Sequence, residues 1–175
     1  MRTFFILPLS ALFCAIALGL GLTGCSHYHL GTGAKPTFTT IYIAPVLNRS
    51  DLSQAAALVS AHLREAFLRD GRVVLVETPG EADAVLTVTL TTYGRETLTA
   101  QATDTGRARK FGLTLNATAT LRNQHTGQAL FVQRPLRAER QLFTDSGQPL
   151  AEYDTVPLLA ENLAQSALHA ALDVW

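Results

Sequence analysis

Two stretches of strict alternation limit what this chain can fold into. From Ala84 to Tyr93 (AVLTVTLTTY), Leu86, Val88 and Leu90 fall on one side and Thr87, Thr89 and Thr91 on the other. From Phe111 to Arg122 (FGLTLNATATLR), Phe111, Leu113, Leu115, Ala117, Ala119 and Leu121 face one way, while Thr114, Asn116, Thr118 and Thr120 face the other. A period of two belongs to a β-strand with one dry face and one wet face. Strands of this kind form a sheet whose apolar side must be covered by another layer.

The covering layer is legible on either side of them. Leu52, Ala55, Ala56, Val59, Leu63, Ala66 and Phe67 recur at helical spacing. Asn48, Arg49, Ser50 and Asp51 precede them and offer several candidate N-caps. Gly71 is placed to end the helix in the left-handed conformation. A second apolar line, Leu159, Leu163, Ala167, Ala170 and Val174, follows Thr155 and Pro157, which suit a helix start. Phe38 to Val46 (FTTIYIAPV) reads as a first strand and Arg72 to Glu77 as a short one, closed by a turn at Thr78-Pro79-Gly80. Asn123 to Gln128 carries the Thr-Gly of a hairpin turn. Ala129 to Phe143 is a last long strand, bent or bulged where Pro135 falls. The expected order is β-α-β-β-β-β-α with five strands, one of them short. The fold class is α+β: two helices packed on one face of a mixed, mainly antiparallel β-sheet.

The amino terminus is of another kind. After Met1-Arg2, residues 4–22 (FFILPLSALFCAIALGLGL) carry no charge, and Leu22-Thr23-Gly24-Cys25 follows. A basic start, an apolar run and small residues before a cleavage point are the parts of an export signal. In bacterial lipoproteins the cleavage point is a Leu, small residues and then Cys, whose thiol is nucleophilic enough to take up a diacylglycerol. Residues 1–24 are therefore expected to be a lipoprotein signal peptide. Residues 25–37 would be the lipidated Cys25 and a polar tether, and 38–175 a single domain. The run is about long enough to span a bilayer, but Pro8, Gly19 and Gly21 interrupt it and no Lys/Arg cluster follows. Two or three acyl chains, at roughly 0.8 kcal/mol per buried CH₂, make a lasting anchor. The N-acyl diacylglycerol on Cys25 is the one covalent group expected, with no cofactor. Ser26 suits the outer membrane, since sorting tends to use Asp there for inner-membrane retention.

Formal net charge is zero, which argues against nucleic acid as a partner. The distribution is uneven. Arg95, Arg107, Arg109, Lys110, Arg122, Arg134, Arg137 and Arg140 make the middle basic, and Asp145, Glu152, Asp154, Glu161 and Asp173 make the end acidic. A mixed, solvated surface accounts for this unless the ligand is anionic. Cys14 lies in the signal and Cys25 carries the lipid, so the domain has no thiol for a disulfide or a cysteine metal site. No G-x-S-x-G, Walker loop or H-E-x-x-H occurs. His27 and His29 share a tether with no third ligand nearby; His62, His125 and His169 are isolated. Neither an enzyme nor a metal site is expected.

Gly24-Cys25 followed by Tyr28-His29-Leu30-Gly31 resembles the opening of the LptE family of lipopolysaccharide-assembly lipoproteins. Ile43-Ala44-Pro45-Val46-Leu47-Asn48-Arg49-Ser50 is similar to its first strand, though Leu47-Asn48 stands where a Phe is common. Glu81-Ala82-Asp83-Ala84-Val85-Leu86, Phe111-Gly112-Leu113-Thr114-Leu115-Asn116-Ala117 and Thr126-Gly127-Gln128-Ala129-Leu130 resemble later blocks. The resemblance implies a lipid-anchored protein on the periplasmic side of the outer membrane. It would sit in the lumen of the LptD β-barrel as plug and assembly partner for inserting lipopolysaccharide into the outer leaflet. No ligand-binding residue carries over from the family. Arg95, Arg107, Arg109 and Lys110, flanking the loop between the alternating strands, are candidate contacts for lipopolysaccharide phosphates through charge-assisted hydrogen bonds. Two other roles fit the same chain: a lipoprotein that activates or recruits an envelope enzyme, and an adhesion or structural lipoprotein.

Overall fold

A computed structural model describes residues 36–100, 108–143 and 148–173, and side chains within 36–98, 110–142 and 152–173. The elements are β1 (Thr40–Ile43), β2 (Leu47–Asn48), α1 (Ala55–Asp70), β3 (Val74–Leu75), a 3₁₀ turn (Pro79–Glu81), β4 (Ala84–Ala100), β5 (Ala108–Asn123), β6 (Ala129–Phe143) and α2 (Gln148–Leu172). The sheet order is β3-β1-β4-β5-β6, with β2 pairing β4 beyond β1. β1 and β2 run parallel to β4, and β1 runs parallel to β3. β4, β5 and β6 form a long antiparallel meander. The fold is α+β with helices and strands in the expected order, and β2 is a sixth strand beyond the five read from sequence.

Local chemistry explains the boundaries. The expected strand Phe38–Val46 is divided because Pro45 has no N–H to give the ladder. Ala44 N–H still reaches Leu86 O at 2.9 Å, and pairing resumes at Leu47. None of Asn48, Arg49, Ser50 or Asp51 is the N-cap of α1. That position is Gln54, which makes no side-chain cap bond. Asn48 instead shapes the approach: its Nδ2 donates to Leu52 O at 2.9 Å and its Oδ1 accepts from Ser50 N–H and Oγ–H. Gly71 ends α1 as expected, with φ 71° and its N–H on Phe67 O. α2 starts at Gln148, before the expected Thr155–Pro157, and holds Pro157 inside. The carbonyl that loses its helical donor belongs to Tyr153, which is 72% exposed, so water can satisfy it.

The dry face is the one the alternation marks. Leu86, Val88, Leu90, Leu113, Leu115, Ala119 and Leu121 are buried against Val59, Leu63 and Phe67 of α1 and Leu159, Leu163 and Ala167 of α2. Among the described residues no polar or charged side chain is buried. Among the described residues, nothing forms a layer over the sheet's other face.

Among the ladders' register shifts, one in β4 and one in β6 alter which side chains face the helices. Leu90 pairs with Ala117 but Thr92 with Asn116, so Thr91 is an extra residue in β4. The phase flips there: beyond the bulge, Tyr93 stands opposite Leu115 and Arg95 opposite Leu113, on the helix side. In β6, Arg134 pairs with Ala119 and Phe131 with Leu121. The extra residue lies at Val132–Gln133, just before Pro135 rather than at it. Gln133 has φ 47°, the one positive value on a non-glycine among the described residues.

At the end where the chain enters, Asp83 ties three strands. Its Oδ2 accepts from Thr39 N–H, Thr39 Oγ–H and Thr40 N–H at 2.7–2.9 Å, and its Oδ1 meets His125 Nε2 at 3.1 Å. These bonds, those from Thr39 first, hold the carboxyl well below its ordinary pKa.

Candidate functional site

β4 and β5 pair as far as Ala100↔Ala108 and β6 stays paired with β5 as far as Lys110↔Phe143, so the three-stranded meander runs on as a long arm. The arm's strands are longer than the alternation suggests, since β4 was expected to end at Tyr93 and β5 to begin at Phe111. Arg95 is thus inside a strand rather than on a loop. Its Nη1 donates to Glu152 Oε2 at 3.1 Å, and its guanidinium lies 6.0 Å from the Phe111 ring centroid. Tyr93 OH donates to the other Glu152 oxygen. Burial, and next the bond to Glu152, push the Tyr93 hydroxyl pKa well above its ordinary value. Glu152 thereby fastens the start of α2 to the arm.

The other candidates separate. Lys110 is on β5, half-buried and already engaged by a neighbour. Arg109 is placed in β5 as backbone only, while Arg107 and Cys25 lie outside the described residues. The signal peptide, most of the tether with His27 and His29, Asp145 and Val174 also lie outside them.

The basic middle and acidic end of the chain are in part paired with one another. Arg95 meets Glu152; from outside the basic middle, Arg72 Nη1 donates to Asp173 Oδ1 at 2.8 Å. Arg140 Nη2 donates to Asn162 Oδ1 at 3.0 Å. Arg134 Nη1 donates to Ala170 O at 2.9 Å, with its guanidinium 4.7 Å over Phe131. Arg137 bonds Glu139 on the same strand. Much of the charge asymmetry therefore secures α2 to the sheet.

Arg49 and Arg122 are exceptions. Both are exposed, and neither side chain has a partner among the described residues. Both belong to the uncovered face. Thr87, Thr89, Thr91, Thr118, Thr120, Gln133 and Arg49 line a shallow depression of about 300 Å³ there. Gln133 N–H donates to Thr120 Oγ1 at 3.0 Å and Asn116 Nδ2 to Thr92 Oγ1 at 2.9 Å. Nothing in the local pattern singled out Arg49 or Gln133; an unpartnered polar sheet face emerges only when the strands are assembled. Toward the tip of the arm the same face has Gly112 as a floor, with Leu98 leaning over it 3.5 Å from where a Cβ would stand.

Among the described residues there is no group of three or more His, Cys, Asp or Glu suited to a metal. No helix among them is long and apolar enough to cross a membrane.

The architecture has known relatives. The uncharacterized lipoprotein B of Nitrosomonas europaea, solved in solution by NMR, superposes with a TM-score of 0.54 at 18% identity, over 82% of this chain and 94% of that one. A protein of Xanthomonas campestris superposes at 0.57 and 10% identity, over 82% and 89%. A hypothetical protein of Chlamydia trachomatis superposes at 0.55 and 10%, over 78% and 97%. These likenesses are of fold. No curated protein matches by sequence. The family model described as "LptE: Lipopolysaccharide-assembly" matches residues 38–171, from the entry to β1 nearly to the end of α2. The chain belongs to the LptE lipopolysaccharide-assembly family.

Proposed function

We propose that this protein is an outer-membrane lipoprotein, acylated on Cys25, that plugs the LptD β-barrel and assists its assembly for lipopolysaccharide insertion. The observation that carries this reading is the family match over residues 38–171. The geometry supports a scaffold: a small domain with a dry core, a hydroxyl-rich uncovered face and arginines that secure its own helix. The lumens of transmembrane barrels are polar, so a hydrophilic domain is the kind of body that fits one. The arm is the proposed contact for lipopolysaccharide phosphates, through Arg95, Arg107, Arg109 and Lys110. Arg95 gives one of its five N–H donors to Glu152 and keeps others for an anion.

Purification of the full chain in detergent tests the reading. A barrel protein in equimolar amount is the expected companion. A cell-wall synthase in its place would favour the regulator role, and an unaccompanied folded protein would overturn the plug. Mass spectrometry of the mature amino terminus tests the anchor: Cys25 bearing an N-acyl diacylglycerol is expected, and an unmodified amino terminus ahead of residue 25 would refute it.

A further inference from the structure

The uncovered sheet face has a chemistry of its own. Tyr42, Val85 and Arg122 form one row of it, followed by Thr87 and Thr120, then Thr89 and Thr118. Leu47, paired opposite Thr89, is 50% exposed beside them. A free antiparallel sheet is normally polar on its wet side, and hydroxyls alone would mean nothing more. Three observations go beyond that. The two cations of this half of the face, Arg49 and Arg122, have no carboxylate partner among the described residues, whereas Arg72, Arg95 and Arg137 all have one. Tyr and Arg, which stand among the threonines here, are enriched in protein contacts relative to the rest of a surface, and Leu47 adds an exposed apolar side chain beside them. Gln133 is held at φ 47° on the rim, and a non-glycine residue in that region is strained unless its surroundings fix it.

We propose that this face, rather than the helical layer, is the surface that docks against a partner protein, and that the partner presents a concave polar wall bearing carboxylates opposite Arg49 and Arg122. The proposal rests on the plug reading and adds to it which side of the domain meets the barrel wall. Size points to a concave wall. Three inter-strand spacings of about 4.8 Å give a width of roughly 14 Å, and Thr87 to Glu96 at about 3.4 Å per residue gives roughly 30 Å. That is about half of the roughly 800 Å² that each side of a stable interface buries. A flat partner would fall short. A wall that curves round the edge strand β6 also covers Leu130 and Val132, which are 38% and 58% exposed. Charge complementarity favours carboxylates on that wall, because two unpaired guanidiniums desolvated without partners would oppose binding.

The test uses the full-length chain in its native membrane, with a photo-reactive phenylalanine analogue at Thr89, at Thr118 or, on the outer side of α2, at Leu158. Adducts with a barrel protein at Thr89 and Thr118, at least tenfold stronger than at Leu158, are expected. Adducts equal or stronger at Leu158 overturn the proposal. So do adducts to lipopolysaccharide alone at the sheet positions, or no adduct at either while the barrel still co-purifies; both leave the plug role standing. If no barrel accompanies the unsubstituted protein, the plug reading itself has failed. As a second measurement, Arg49→Glu should lower barrel recovery at least fivefold with an unchanged melting curve and Arg49→Gln should lower it less. Unchanged recovery with Arg49→Glu removes Arg49 from the contact and overturns the charge argument.

Discussion

Deleting Thr91 is the sharpest perturbation the fold offers. Thr91 has no cross-strand partner, since Leu90 pairs with Ala117 and Thr92 with the adjacent Asn116. Its removal closes the ladder into a regular one and leaves Tyr93 and Arg95 on the helix side. The loss is a half-exposed side chain, and one residue fewer must be ordered on folding, worth about 1–2 kcal/mol. The expected change in unfolding free energy is within about 1 kcal/mol. Deleting Thr89 shortens the strand equally but has a different consequence. Leu90, fully buried, turns to the wet face and Thr91 turns into the core. Exposing the leucine costs about 2–3 kcal/mol, and burying an unpartnered hydroxyl about 1–3 kcal/mol more. Urea unfolding of the unacylated chain from Ser26 to Trp175 separates the two, read at equal m-values. Equal losses for the two deletions, or a loss above about 2 kcal/mol for Thr91 alone, would refute the bulge and with it the route by which Tyr93 and Arg95 reach Glu152.

Other outcomes follow from the same geometry. A double-mutant cycle of Tyr93→Phe and Glu152→Gln should show a coupling of about 1 kcal/mol, typical of a hydrogen bond to a charged group discounted for its half-exposed site; a coupling near zero would mean the bond adds nothing in solution. Asp83 has a depressed pKa in the fold, so its contribution is complete above its ordinary value of 3.8 and is lost as pH falls below it. Asp83→Asn should therefore flatten the acid limb of the stability–pH curve below about pH 4, and an unaltered limb would exclude this carboxylate as its source. Leu163→Ala, at a fully buried site between helix and sheet, should cost about 3–4 kcal/mol by thermal or urea unfolding, and a loss under about 1 kcal/mol would contradict the packing of α2. Replacing Arg107, Arg109 and Lys110 together by Ser should weaken lipopolysaccharide binding while the melting temperature stays put; unchanged binding would retire the arm as the contact.

Alternation and helical spacing make the core legible in the sequence. The inward residues of β5 from Phe111 to Leu121 are buried as read. Gly71 ends its helix for the reason a glycine there suggests. The misreadings share a cause: an irregularity whose signal is tertiary. Thr91 looks like one more outward threonine, and nothing local says that it is skipped in the pairing. Without that skip Tyr93 and Arg95 fall on the wet face and Glu152 remains one acid among several. Pro157 reads as a helix start because the first turn tolerates a missing N–H, yet α2 begins upstream and leaves Tyr153 to solvent. Pro135 correctly marked trouble in β6, but the extra residue precedes it at Gln133, where no glycine or asparagine announces a left-handed backbone. As for the candidate site, sequence drew attention to cations. It could not separate those engaged with α2, such as Arg95 and Arg134, from Arg49 and Arg122, because the pairing joins residues tens of positions apart.

On the plug reading proposed above, the length of the arm bears on how one small domain would serve an anchor and a distant ligand together. The chain enters the fold at Thr39, beside Asp83 at the foot of β4. Ala100 lies at the far end of that strand, and at about 3.3 Å per residue the two are roughly 50 Å apart. A bilayer with its headgroups is about 40–45 Å thick. On that reading, a domain seated in a barrel with its entry end toward the periplasm would carry the described end of the arm, with Lys110, to the level of the opposite headgroups, where lipopolysaccharide phosphates lie. The bulge at Thr91 belongs to the same design. By turning Tyr93 and Arg95 onto Glu152 it braces the far half of the three-stranded meander against α2.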